Sequence, residues 1–265
     1  CDITQIIVPD SRLALGQLAA ALKARLAPKT IAVTGSAGKT TVKEMIAAIL
    51  SRCGKVLSTQ GNFNNDIGVP LTMLRLTEQH DFAVLELGAN HQGEIAYTTS
   101  LAKPDVAIIT NVAPSHLEGF GDVYGVARAK GEIFNGLAVN GLAIVPADSE
   151  YCDYWLRRLT DMPVQQFSAK QQANQPVDYS AREVVLDAQG CASFVLQSST
   201  GVIGWSLPAD AMIAALPRAA GRRVAHPGPP HIGGPRRPAA CRYTGVRPRR
   251  PDAMASHDHD DPSTT

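Results

Sequence analysis

A chain of 265 residues, 45% hydrophobic and 18% charged with a formal net charge of +1, has room for one large domain or two small ones. It contains no apolar run of about 18 residues or more, so no segment predicts a membrane-spanning helix. Its five cysteines (Cys1, Cys53, Cys152, Cys191 and Cys241) are scattered and form no C-x-x-C. That usage argues against a disulfide framework or a zinc site and fits a reducing, cytoplasmic setting.

Asp10-Ser11 predicts the N-cap of a helix whose Leu15, Leu18, Leu22 and Leu26 share one face. The β-branched, apolar run 30–34 reads as a buried parallel strand, followed by a helix over 40–52 and a short strand over 55–58. A loop rich in Gly and Asn spans 61–68, and Pro70 opens a helix over 69–76. A strand at 82–87, a helix at 94–102 and a strand at 105–110 come next, then a loop over 111–121 and a helix over 123–137. A strand at 142–145 and a helix at 149–159 complete an alternation that predicts a doubly wound α/β sheet. Beyond about residue 164, strand-like runs divided at Gln189-Gly190 and Thr200-Gly201 read as antiparallel hairpin strands appended to the parallel sheet.

The first strand runs into VTGSAGKTT, residues 33–41. This is a phosphate-binding loop in the compact form G-x-x-G-K-T, because position 33 is Val rather than Gly. Gly35 and Gly38 let the backbone turn sharply and approach an anion, with Ser36 and Ala37 between them. The amides from Gly35 to Thr41 then face phosphate at the positive end of the next helix. Lys39 would reach the β/γ-phosphates, and the Thr40 hydroxyl would sit on Mg²⁺.

Three more candidates follow the C-terminal ends of predicted strands or the loops beyond them, where doubly wound sheets place ligands. Glu86 ends an otherwise apolar strand and could hold Mg²⁺ or be a solvated strand-end carboxylate. His116 lies in the loop NVAPSHLEGFG, where a histidine is either a ligand or solvent-facing. Lys130, in ARAKGEIF, is either part of the site or a helix lysine snorkelling to water. The stretch GNFNNDIGVP brings Asn62, Asn64 and Asn65, amides suited to sugar or phosphate recognition, or forms a plain turn.

Residues 207–265 differ from the rest. They hold ten of the 18 prolines, no Phe, and nine Arg without one Lys. Such a segment buries too little apolar surface to offset its ordering entropy, so it predicts disorder. HDHDD (257–261) reads as a solvated charge cluster, and apart from Tyr243 the Arg pairs lack the interleaved aromatics that nucleic-acid binding would need.

In order and spacing, TGSAGKTT, GNFNNDIGVPLT, ELGAN, TNVAPSHLEGFG and ARAKGEIF resemble the Mur ligases of bacterial cell-wall synthesis, over about residues 7–206. The likeness is strongest to the branch that adds D-alanyl-D-alanine. It implies a P-loop, doubly wound, mostly parallel central ATP-binding domain over 28–206. Residues 1–27 would be the end of a preceding domain and its connector, and 207–265 a tail outside the family pattern. The tail looks like a coding sequence read out of frame, and intact frame in the gene across codons 200–215 would exclude that.

The resemblance also implies the site. Lys39 and the loop amides would bind ATP, Thr40 and Glu86 one Mg²⁺, and His116 a second. Lys130 matches a lysine that is carbamylated in several members, which would make it an anionic metal ligand. Asn62, Asn64 and Asn65 would lie along the UDP-MurNAc-tripeptide, with Lys39, His116 and Lys130 as the catalytic set. The implied reaction is ATP-dependent amide formation with D-alanyl-D-alanine through an acyl phosphate, in a cytoplasmic monomer with no nucleic-acid partner. The chain alone is expected to bind ATP weakly and form no pentapeptide. Other expectations kept open are another Mur or folylpolyglutamate-type amide ligase, and a P-loop NTPase or kinase.

Overall fold

The structure, a computed structural model, describes residues 5–169, 177–188, 192–198 and 201–207. The expectations for the Pro- and Arg-rich tail, including HDHDD, lie outside the described residues. Among the described residues nine strands form one sheet in the order β2-β3-β1-β4-β5-β6-β7-β8-β9. They are β1 Lys29–Thr34, β2 Val56–Ser58, β3 Phe82–Glu86, β4 Val106–Ile109, β5 Leu142–Pro146, β6 Val164–Ser168, β7 Tyr179–Leu186, β8 Ala192–Ser198 and β9 Gly201–Leu207. β1 lies between β3 and β4, with Val33 opposite Glu86 and Thr34 opposite Ile109. The chain winds outward to β2 and then crosses back to β4, so the sheet has its topological switch point beside β1.

Among the described residues seven α-helices accompany the sheet: α1 Ser11–Leu26, α2 Lys39–Leu50, α3 Gly68–Met73, α4 Glu94–Ala102, α5 Leu117–Phe120, α6 Val123–Gly131 and α7 Cys152–Leu156. Ala32 and Leu85 join the core cluster with side chains of α3, α4 and α6. Their strand neighbours Val33 and Val84 are equally buried yet lie outside that cluster. Alternate residues therefore bury both faces of the central strands, as a parallel sheet requires.

Four local outcomes differ from the sequence reading. The switch to antiparallel pairing comes later than residue 164, because β6 pairs parallel with β5, and β7 still parallel with β6. Only β8 and β9 are antiparallel to their predecessors. On α1, Asp10 caps as expected, accepting from the Arg12 and Leu13 amides at 2.8 and 3.0 Å. The leucines, however, do not share a buried face: Leu22 and Leu26 pack on Leu57 and Leu76, while Leu18 is 61% exposed. What α1 buries fully is Gly16 and Ala19, small residues that let it lie close to its neighbours.

The third difference is that the loop 111–121 contains α5, a single turn. The fourth is that the helix expected over 123–137 stops at Gly131 and continues as a 3-10 helix, Glu132–Gly136. A Cβ on Gly131 would lie 2.9 Å from the Trp155 ring, and one on Gly136 would lie 2.4 Å from the Thr99 carbonyl oxygen. Glu132 also turns back to cap α4, accepting from Gly93 N–H at 2.8 Å and Ala96 N–H at 3.0 Å. Tertiary contact, not local propensity, ends the helix.

The approach of α6 to α5 is tight in the same way. A Cβ on Gly125 would stand 1.9 Å from the Phe120 carbonyl oxygen. Gly125→Ala is therefore expected to destabilise the fold by about 1–3 kcal/mol through overpacking. Urea unfolding measures it, and an unchanged midpoint would mean that the α5–α6 junction yields freely.

Candidate active site

The loop between β1 and α2 is built for close approach. Gly38 takes φ +76° and caps α2 without any side-chain hydrogen bond, which leaves the first-turn amides open to an anion. Gly35 has φ +153°, and a Cβ there would fall 2.0 Å from the Thr110 hydroxyl. That hydroxyl crosses instead to the Ala37 carbonyl at 2.7 Å. Asn111 clamps the same residue, accepting from Ala37 N–H at 2.9 Å and donating to its carbonyl at 3.1 Å. Ser36 is tied to Ala113 and Ser115 through its hydroxyl, and its N–H donates to the Asn111 carbonyl. The amides of Ser36 and Ala37 are thus used within the protein, so an anion would meet those from Gly38 onward. Thr110, Asn111 and Ser115 were not singled out from sequence, since a polar residue after a strand carries no mark of what it clamps.

Lys39 lies over the loop, its ammonium donating to the Gly35 carbonyl at 2.9 Å. Burial pulls its pKa below the ordinary lysine value, and the nearby Glu86 carboxylate partly opposes that. Glu86 is 2% exposed. Its Oε2 accepts from the Thr40 hydroxyl at 2.8 Å, its Oε1 from the Asn64 amide at 2.9 Å. Among the described residues no ion pair reaches it, so a buried carboxylate is met only by neutral donors. That arrangement leaves the charge undercompensated.

The pair Thr40 and Glu86 fits a hard divalent cation, which takes oxygen ligands. Among the described residues no group of three or more His, Cys, Asp and Glu side chains is arranged to hold an ion. Such a cation would draw its other ligands from phosphate and water, as Mg²⁺ ordinarily does.

A cleft of about 180 Å³ gathers Gly35, Ser36, Lys39, Asn64, His116 and Lys130 with Gly88, Ala89, Asn90 and Ser115. His116 stands at φ +49°, a strained conformation for a residue with a Cβ, at the start of α5. Phe120, at the end of that turn, receives the His116 ring edge-on at 6.4 Å between centroids and lies 5.6 Å from the Lys130 ammonium.

Lys130 is no snorkelling lysine, since it is 2% exposed. Burial first, then the like charge of Lys39, lower its pKa to about 8. Of the three asparagines only Asn64 lines the cleft. Asn65 accepts from Gly68 N–H at 2.8 Å, closing the turn into α3, and Asn62 is exposed.

The depressed Lys130 pKa has a consequence for stability. Between about pH 8 and the ordinary lysine value of 10.5, the unfolded chain keeps a proton here that the folded chain has released. Folding stability contributed by this group therefore rises with pH across that window. Relative to Lys130→Met, the parent chain should gain in urea midpoint from pH 8 to pH 10. Parallel pH profiles for the two would contradict the assignment.

A phosphate loop at the switch point, with a buried carboxylate on the adjacent strand and basic groups across the cleft, defines a P-loop nucleotide-binding α/β domain. The Mur ligase middle domain matches residues 33–215, and the chain belongs to the Mur ligase family. It is 51% identical over 211 residues to the UDP-N-acetylmuramoyl-tripeptide–D-alanyl-D-alanine ligase of Haemophilus influenzae, covering 78% of this chain and 44% of that one. MurF from Acinetobacter baumannii superposes with a TM-score of 0.75 at 41% identity, over 81% of this chain and 47% of that one. MurF from Thermotoga maritima in complex with ADP does so with a TM-score of 0.67 at 26% identity, over 81% and 51%. The chain spans about half the length of the relatives it matches.

Proposed function

We propose that this chain carries the ATP-binding and carboxylate-activating part of a ligase that adds D-alanyl-D-alanine to UDP-MurNAc-tripeptide. The observation that carries the reading is the cleft itself, which places Lys39, His116 and Lys130 beside the phosphate loop with Glu86 held behind it. The identity to ligases of that specificity supports this choice of substrates.

The loop amides from Gly38 onward and the Lys39 ammonium hold the β/γ-phosphates of ATP. Thr40 and Glu86 would hold one Mg²⁺ and His116 would help hold a second, and the metal would supply charge neutralisation. The terminal carboxylate of the tripeptide attacks the γ-phosphorus, and ADP leaves. The amine of the dipeptide then attacks the acyl phosphate carbon, phosphate departs, and the amine gives up a proton. Lys39 offsets the repulsion between carboxylate and triphosphate, so catalysis is mostly electrostatic and positional. With a pKa of about 8, Lys130 keeps a share of neutral amine near neutrality, the form that CO₂ carbamylates. Asn64 joins the metal side of the cleft to the substrate side, with Asn62 and Asn65 farther along the tripeptide.

The wider reading is a cytoplasmic monomer without nucleic-acid partners, divided into 1–27, 28–206 and 207–265. Among the described residues no helix is long and apolar enough to cross a membrane. ADP release tests the reading. Slow turnover by the chain should rise on adding UDP-MurNAc-tripeptide, fall in Lys130→Ala, and give no pentapeptide without further protein. Turnover indifferent to both the tripeptide and Lys130 would instead favour a simple P-loop NTPase.

A further inference from the structure

Lys43 lies one turn beyond Lys39 on α2 and is 1% exposed, yet the chemistry above does not use it. Its ammonium donates to the Thr59 carbonyl at 2.6 Å and pairs with Glu44, whose own side chain is largely in solvent, at 2.7 Å. Thr59 is fully buried just past the end of β2. Its N–H donates to the Val84 carbonyl at 3.0 Å, and its hydroxyl accepts the Glu86 N–H at 3.0 Å. Five residues further on, Asn64 donates to one oxygen of the Glu86 carboxylate while Thr40, three residues before Lys43 on α2, donates to the other.

Glu86 is therefore gripped at its backbone through Thr59 and at its carboxylate through Thr40 and Asn64. Lys43 ties the two grips together, because it fixes α2 to the base of the loop that bears Asn64. Burying an ammonium merely to staple a helix to a three-residue edge strand is costly, and an apolar side chain would serve that purpose better.

We propose that Lys43 is a positioning residue for the metal-side carboxylate, acting through Thr59 on the place and orientation of Glu86. The inference rests on the reading of Glu86 as a Mg²⁺ carboxylate. Outer partners of metal ligands commonly govern metal affinity by tenfold or more.

The test uses the full 265-residue chain and calorimetric ADP binding, with Mg²⁺ titrated at fixed ADP and a parallel measurement in EDTA. Lys43→Met is expected to raise the Mg²⁺ half-point by about tenfold while metal-free ADP affinity stays roughly the same. Thr59→Val, which keeps the volume and removes only the hydroxyl, should shift the half-point in the same direction. The double variant should shift it no further than the larger single, as for two members of one chain of contacts. Loss of thermal stability in Lys43→Met with an unchanged half-point would overturn the proposal, leaving a structural staple. If Lys43→Met does not fold, Thr59→Val decides alone, and an unchanged half-point there overturns it. Glu86→Gln separates the premise from the inference. A shift in Glu86→Gln without one in Lys43→Met sinks only the role of Lys43, whereas no shift in Glu86→Gln sinks the metal reading with it.

Discussion

Lys39→Ala is expected to weaken ATP binding by about 1.5–3 kcal/mol, the worth of a hydrogen bond to a charged partner in a partly desolvated site. The ammonium lies within the cleft and, among the described residues, has only a backbone carbonyl, that of Gly35, as its hydrogen-bond acceptor. Exchanging that neutral acceptor for a phosphate oxygen replaces an ordinary hydrogen bond with a charge-assisted one. The fold should tolerate the change, because truncation removes a cation whose burial already lowers its pKa. Calorimetry with ATP at fixed Mg²⁺ measures the effect. Equal affinity in the parent and the variant would take Lys39 out of the site.

Glu86→Gln should separate binding from stability. The carboxylate is buried with neutral donors on both oxygens and, among the described residues, no ion pair, so only the through-space charge of Lys39 opposes its desolvation. Glutamine keeps the shape. Its carbonyl oxygen can accept from Asn64, and its amide can donate to the Thr40 hydroxyl. The melting temperature is therefore expected to hold or rise, while the Mg²⁺ half-point for ATP binding moves up by about tenfold or more. A fall in stability with an unchanged Mg²⁺ titration would make Glu86 a structural carboxylate. Loss of stability alone would not distinguish the two, so the titration decides.

The difference between what sequence reveals and what it hides is clearest around this cleft. The phosphate loop was legible because its mechanics need glycines and a lysine at set spacing directly after a buried strand. The strands around it were legible because short β-branched, apolar runs between turn residues have few other uses. Glu86, His116 and Lys130 could be singled out, but each had an ordinary counterpart until the fold put His116 and Lys130 in one cleft and Glu86 behind it.

Other features depend on distance in space and leave no local mark. Nothing in KTTVKEM separates buried Lys43 from a solvated helix lysine, since its partner Thr59 lies on another element. Asn111 reads as a loop residue, although it clamps Ala37 from beyond the end of the neighbouring strand, β4. On α1 the leucine spacing suggested a buried stripe, yet Gly16 and Ala19 make the close contact and Leu18 faces outward. β6 fell on the wrong side of the parallel–antiparallel boundary because a strand's own residues do not say which neighbour it will pair with. Asn65 closes a turn through its side-chain oxygen, a common use of an asparagine before a helix that its letter alone does not reveal.

In the function proposed above, the phosphate loop, the Asn64 loop, the end of β3 and the His116 turn form one MgATP site. Hydrogen exchange on the 265-residue chain, with and without saturating MgATP, tests it most directly. Added protection is expected in residues 35–41, 59–68, 86–90 and 111–120, with loss of that protection in Lys39→Ala. Protection confined to another surface, such as the groove lined by Phe134, Trp155 and Met162, or none at any of the four segments, would contradict it.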